Sequence, residues 1–135
     1  MEIGKILYEG QVQGLALAIF QNEKPPCGLA GIVDWHIHGR ISRFLKSGAI
    51  TGKIGECTYF PIRRKDSIFH FILAGAGLSE APGIRNPVPK ETIQSLYKNL
   101  VSLKIPKIGI SQSDFGMSSD AFTEQFKGVS LWISP

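Results

Sequence analysis

Residues 31–56 read GIVDWHIHGRISRFLKSGAITGKIGE, a stretch that predicts a helix, its stop and a following turn. Apolar residues recur through it at spacings of three and four, which places them on one face of a helix. This apolar stripe begins just before the quoted stretch and consists of Leu29, Val33, Ile37, Ile41 and Phe44 or Leu45. The opposite, polar face is expected to carry Asp34, Arg40, Arg43 and Lys46. Gly48 ends the predicted helix, because glycine adopts the left-handed conformation of a helix stop without steric cost.

Strands are predicted on both sides of this helix. Short apolar runs at residues 5–8 and 14–20, separated by a polar, glycine-bounded segment, predict a hairpin. The other predicted elements are strands at residues 56–61, 67–74, 107–110 and 129–133, a helix from residue 89 to about residue 104, and a helix from residue 118 or 119 to residue 128. Residues 75–89 are predicted to be a long connection and residues 111–116 a polar turn. This alternation predicts an α/β fold of three layers, α/β/α, with a mixed central sheet.

The composition is that of one globular domain. The chain has 135 residues, and 43% of them are hydrophobic while 19% are charged, so a single core without a metal or a disulfide is sufficient for folding. Cys27 and Cys57 are thirty residues apart and form no CxxC pair, which favours reduced thiols. The first residues lack the basic and then apolar order of a signal peptide, and no apolar run is long enough for a membrane span. We therefore expect a cytoplasmic protein without membrane contact.

The charge is mildly basic, with a formal net value of +4. The densest basic run is Arg63, Arg64 and Lys65, and Asp66 follows it at a predicted turn between two strands. A solvated turn accounts for this run better than a nucleic-acid contact does. Contact with DNA through this turn remains the weaker alternative, so nucleic acid is not the expected partner.

Three short motifs resemble one family. VDW at residues 33–35, SRFLKSG at residues 42–48 and TGKIGE at residues 51–56 resemble the amino-terminal domain of leucine (cytosol) aminopeptidases, and LAGAGL at residues 73–78 resembles the glycine-containing turn of that domain. The resemblance carries over to Asp34, Trp35, Gly39, Ser42, Arg43, Gly48, Gly52, Lys53, Gly55 and Glu56. It implies a fold similar to macro domains, which bind ADP-ribose in other proteins, and structural roles for these residues.

The catalytic part of that family is missing from this sequence. Members of the family bind two metal ions through a separate carboxy-terminal domain, and its NTDAEGR-type run does not occur here. We therefore expect no enzyme activity and no catalytic residues. The resemblance implies a non-catalytic assembly or regulatory module, whose partner is a second copy or a separate aminopeptidase catalytic chain. The alternative is a macro-type binding module for ADP-ribose or another phosphate-containing ligand.

Two turns at strand ends are the candidate ligand site. A glycine turn after a buried strand allows close approach to backbone amides, and amides before a helix favour anions. The candidate binding residues are Gly75, Gly77, Ser111, Ser113, Asp114 and Gly116. Ordinary connections between strands and helices remain the alternative for both turns.

The histidines are not predicted to hold a metal. His36 and His38 lie two residues apart in a predicted helix, where their side chains point in nearly opposite directions. His70 lies in an apolar strand and is expected to be a core histidine with a hydrogen-bond partner. We expect neither a metal nor a cofactor.

Overall fold

The computed structural model describes residues 2–81 and 87–135. Residues 82–86, part of the predicted connection at 75–89, lie outside this range. The strands are β1 (Gly14–Ile19), β2 (Cys57–Arg63), β3 (Ile68–Gly75), β4 (Ile108–Ser111) and β5 (Leu131–Ser134). The helices are α1 (Ile3–Tyr8), α2 (Gly28–His36), α3 (Arg40–Ser47), α4 (Lys90–Leu103), α5 (Gln112–Phe115) and α6 (Ser119–Gln125).

The five strands form one mixed sheet in the order β2-β3-β1-β4-β5. β2 pairs antiparallel with β3, while β1, β3, β4 and β5 are parallel to their neighbours within this group. All six residues of β1 are buried, because helices cover both faces of the sheet. Leu15, Leu17 and Ile19 pack into a core with α1, α2 and α3, and Ala16 and Ala18 face a second core with α4, α5 and α6. The predicted three-layer fold with a mixed sheet is confirmed.

The predicted strand at residues 5–8 is wrong, because the segment belongs to α1. Ile3, Ile6 and Leu7 are all at most 4% exposed. Ile6 and Leu7 follow Ile3 by three and four residues, so all three lie on one side of this short helix. A short apolar run fits a strand and a buried helix equally well. β1 therefore has no hairpin partner before it and pairs with β3 and β4 instead.

The long predicted helix is two helices, α2 and α3. His38 and Gly39 take positive φ angles of 61° and 75° between them, which stops α2 and turns the chain. Asp34 is buried, contrary to its predicted place on the polar face, and its Oδ1 accepts hydrogen bonds from the Ile41 and Ser42 amides at 2.7 and 3.1 Å. It thereby satisfies first-turn amides of α3, as an N-cap side chain does. The break leaves the apolar stripe buried against the sheet.

The other predicted elements agree with the structure within a few residues, apart from one helical turn. Residues 112–115 form α5, where a turn without helix was predicted, and Phe115 within it is fully buried. Cys27 and Cys57 are free thiols. Within residues 2–81 and 87–135, no helix is long and apolar enough to cross a membrane.

Replacing Ile41 with aspartate should unfold the domain. Ile41 is 0% exposed in α3, and an unpaired buried charge costs several kcal/mol, comparable to a total stability of about 5–15 kcal/mol. Arg40→Asp is the matched control, since Arg40 is exposed on the same helical turn. Thermal melts followed by circular dichroism compare the two, and an Ile41→Asp variant that melts like the parent would contradict the assigned packing of α3.

Candidate functional site

The carboxyl ends of β1, β3, β4 and β5 lie at one edge of the sheet, because these strands are parallel. We call this the carboxyl edge. The two predicted turns, residues 75–78 and 111–116, follow β3 and β4, so both lie at this edge. β1 runs between them.

β1 and β4 separate as they approach the carboxyl edge. Their pairing ends after Gly14↔Ile108 and Leu15↔Gly109. The Ile19 carbonyl accepts a hydrogen bond from the Ala76 amide, just after β3, and so points toward β3. The backbone groups of successive strand residues point to opposite sides, so the Ala18 amide points toward β4. After β1 the chain continues to β2 on one side of the sheet, and after β4 it continues to β5 on the other side. The crevice between β1 and β4 is therefore a topological switch point, which is where open α/β sheets bind ligands.

Asp114 fills the place of the missing strand partner. Its Oδ2 accepts a hydrogen bond of 2.9 Å from the Ala18 amide, and the residue is 3% exposed. A buried carboxylate needs such donors, because desolvating a charge is otherwise very costly. The contact joins α5 to β1 across the crevice.

The serines of this segment hold the local chain. Ser111 Oγ accepts a hydrogen bond from the Asp114 amide at 3.3 Å and so caps α5, and it donates to the Pro135 carbonyl oxygen at 3.2 Å. The Ser113 amide donates to the same oxygen at 2.9 Å. Gly116 ends α5 with a φ of 62°, a conformation that favours glycine. Four of the six predicted site residues therefore form one compact segment beside the crevice.

The amides of Gly75 and Gly77 already have partners within the protein. The Gly75 amide donates to the Glu56 carbonyl at 2.7 Å, and the Gly77 amide donates to the Gly52 carbonyl at 2.8 Å. The sequence suggested that these two amides donate hydrogen bonds to a ligand. In this structure both N–H groups already donate within the protein.

Close packing explains why both positions are glycine. A Cβ atom on Gly75 would lie 2.0 Å from the Lys53 carbonyl oxygen, which no real structure permits. Gly77 has a φ of 80°, and a Cβ there would lie 2.8 Å from the Ile54 side chain. The turn at residues 52–55 therefore lies directly over the glycine turn that follows β3.

Glu56 organises this covering turn. Its carboxylate accepts hydrogen bonds from the Thr51 amide at 2.9 Å, the Thr51 hydroxyl at 2.8 Å and the Gly52 amide at 2.9 Å. The sequence suggested that residues 51–56 form a turn, but it gave no indication that they pack on residues 75–77.

Asn22 is a residue that the sequence analysis missed. Its side-chain amide donates to the Ser79 carbonyl at 2.9 Å, and its Oδ1 accepts from the Ser79 amide at 2.9 Å. These bonds connect the loop after β1 to the loop after β3. An asparagine just after a buried strand is a known turn signal, but its distant partner is not visible in the sequence.

The three histidines lie apart from the carboxyl edge. His36 ends α2 and His38 lies in the turn after it. His70 on β3 is half-buried, its Nδ1 is 2.6 Å from the Tyr59 hydroxyl, and burial lowers its pKa. In the described part of the chain, no three His, Cys, Asp or Glu side chains are grouped closely enough to hold a metal ion.

Solved structures of other proteins share the fold of this chain. The macrodomain of Mycobacterium tuberculosis DarG is 16% identical to this chain, with a TM-score of 0.64 over 96% of this chain and 92% of that one. Thermosipho africanus DarTG, solved in complex with ADP-ribose, is 11% identical, with a TM-score of 0.61 over 93% of this chain and 38% of that one.

The chain has a macrodomain-like fold. No model of a known protein family matches the sequence, and no curated protein matches it either. At these low identities, the macrodomain-like assignment concerns the fold alone.

The aminopeptidase resemblance receives weaker support than the macrodomain-like fold. A mutant of tomato leucine aminopeptidase is 19% identical, with a TM-score of 0.52 over 86% of this chain and 23% of that one. The match supports a shared fold with part of that enzyme. The implied membership of the aminopeptidase family is not supported.

The turn that Glu56 organises over Gly75 and Gly77 should make the folded domain less stable in acid. Burial raises the pKa of Glu56, but hydrogen bonds from Gly52 and Thr51 and the charge of Lys53 outweigh it, so the net pKa lies below its ordinary value of 4.5. A lowered folded-state pKa adds stability that is present above pH 4.5 and is lost as the pH falls through the folded pKa.

Glu56→Gln should therefore melt at a lower temperature than the parent at pH 7, and the difference should shrink as the pH falls below 4.5. Glu124→Gln on α6 is the matched control, because Glu124 is exposed. Melting temperatures between pH 7 and pH 3 test this, and a gap between Glu56→Gln and the parent that widens in acid would contradict the assigned role.

Proposed function

We propose that this chain is a macro-type binding module that takes ADP-ribose or another phosphate-containing ligand at the carboxyl edge. The crevice between β1 and β4 carries the proposal, because it is a switch point at which strands part and loops converge. Similarity over nearly the whole length of a solved macrodomain supports it. So does the structure of DarTG in complex with ADP-ribose, because part of that protein shares this fold.

The charges of the crevice suggest how such a ligand would be oriented. The Asp114 carboxylate would repel a phosphate and would accept a hydrogen bond from a ribose hydroxyl. The phosphates would instead lie toward the start of α2, which follows the loop after β1 and has no side-chain cap on its first amides. Free amides and the helix dipole favour an anion there.

Calorimetric titration with millimolar ADP-ribose tests the proposal. We expect weak binding, micromolar or poorer, because the Gly75 and Gly77 amides are already bonded within the protein. Amide NMR shifts should move at residues 18–22 and 111–116 and stay unchanged at residues 63–67, in the hairpin at the far edge. No heat and no shifts at millimolar ligand would refute the proposal.

Asp114→Asn sharpens the test, because asparagine still offers an acceptor to the Ala18 amide but loses the charge. It should weaken ADP-ribose binding about fivefold, since a hydrogen bond to a charged acceptor is stronger by about 1 kcal/mol than one to a neutral acceptor. Asp120→Asn, at an exposed position on α6, is the matched control. Equal affinities for the two variants would remove the proposed ribose contact.

The same proposal expects no aminopeptidase activity from this chain. Leucine-amide substrates with added zinc or manganese should give no turnover, because the family's metal-binding run is absent from the sequence. Turnover that survives purification and is lost on mutation of a carboxylate would contradict this. The role as an assembly module stays a separate prediction. A measurement of the molecular mass of the protein in solution tests it.

A further inference from the structure

A basic surface lies at the edge of the sheet opposite the carboxyl edge. There, β2 ends and β3 begins, and the hairpin between them is flanked by two clefts of about 590 and 640 Å³. The basic surface consists of Arg40, Arg63, Arg64 and Lys65 together with His36 and His38. Among the residues that the structure describes, Asp66 is the only acid that lines either cleft.

Two separate parts of the fold supply these cations. Arg63 and Lys65 lie on the β2–β3 hairpin, and Arg40 starts α3 after the break that separates it from α2. All three are exposed, and none forms an ion pair with any described residue. Gathering several like charges around a single acid, Asp66, is unfavourable, so a surface of this kind is suited to an external anion.

Arg64 has a structural role that keeps the hairpin in shape. Its guanidinium lies 4.4 Å from the centre of the Phe69 ring, and its amide donates to the Ser67 carbonyl at 2.7 Å. The amide bond closes the hairpin turn, and the ring contact holds the Arg64 side chain against the buried Phe69. The cations on either side of Arg64 are therefore presented from a fixed position.

Trp35 extends this surface with an exposed aromatic face. Its side chain is 79% exposed, near the end of α2. Its ring makes an edge contact with the His36 ring at 5.2 Å between centroids, and His36 also lines the first cleft. An exposed tryptophan offers a large stacking surface, and its contact with His36 connects it to the first cleft.

We propose that this surface binds single-stranded nucleic acid. Arg40, Arg63 and Lys65 contact successive phosphates along the clefts, and a base stacks on Trp35. Cations beside an exposed aromatic ring are the combination by which proteins hold single strands without sequence preference. A small anion would need neither the two clefts nor the tryptophan. The surface is separate from the carboxyl edge, so the two sites operate independently.

Fluorescence anisotropy with a labelled 15-nucleotide oligothymidine tests the proposal on the whole chain. Binding should weaken with salt, with a slope of log affinity against log salt of about −2 for three phosphate contacts. The double variant Arg63→Glu, Lys65→Glu should bind at least about tenfold more weakly than the parent. Its matched control is Lys98→Glu, Lys127→Glu, which makes the same change of net charge at exposed positions outside the basic surface. Equal affinities for the two double variants would overturn the proposal.

Trp35→Ala separates stacking from charge. It should weaken binding about tenfold while the salt slope stays the same, because base stacking is insensitive to salt whereas phosphate contacts are not. Melting curves confirm that each variant is folded. Unchanged affinity in Trp35→Ala, or displacement of the oligonucleotide by ADP-ribose, would overturn the proposed surface.

Discussion

The whole molecule depends on one constraint, which is that β1 is buried along its entire length. A buried backbone must form its hydrogen bonds within the protein, since an unpaired amide costs about as much as a lost hydrogen bond. β3 satisfies β1 on one side over six residue pairs, whereas β4 does so over only two on the other. Asp114 supplies the partner that β4 leaves out. The Asp114 carboxylate and the crevice therefore depend on each other. β1 and β4 can separate only where another group replaces the hydrogen bonds between the two strands.

A second constraint acts at the glycine turn after β3. The turns at residues 52–55 and 75–77 are in backbone contact, and the end of β1 touches both of them. Three main chains can meet this closely only where side chains are absent. The glycines that suggested ligand approach from sequence are thus required by contacts within the protein. The same packing moves the candidate ligand site away from β3 and toward the gap between β1 and β4.

The two proposed binding regions use opposite ends of the same elements. The parallel strands open at the carboxyl edge, and the β2–β3 hairpin closes the other edge. α2 starts after the loop that follows β1 and ends at His36, which lines a cleft beside the hairpin. A ligand at one edge can therefore bind without blocking the other. The chemistry also differs, because the crevice offers a carboxylate and helix amides while the basic surface offers cations and an aromatic ring.

Local patterns in the sequence were sufficient to predict the layers and most of the elements. The stripe through Val33, Ile37 and Ile41 is buried as its spacing indicates, and the alternation of strands and helices gave the mixed sheet, because periodicity reports which face of an element leaves water. The tertiary structure alone decided that residues 3–8 are helical and that the stripe is divided between two helices. It also decided which amides of the candidate site remain available. The division of the stripe and the availability of the amides depend on Asp34 reaching the start of α3, Asp114 reaching β1 and the turn at residues 52–55 covering Gly75. Such contacts join residues that are distant in sequence or depend on exact backbone approach, and neither property leaves a repeating pattern in the chain.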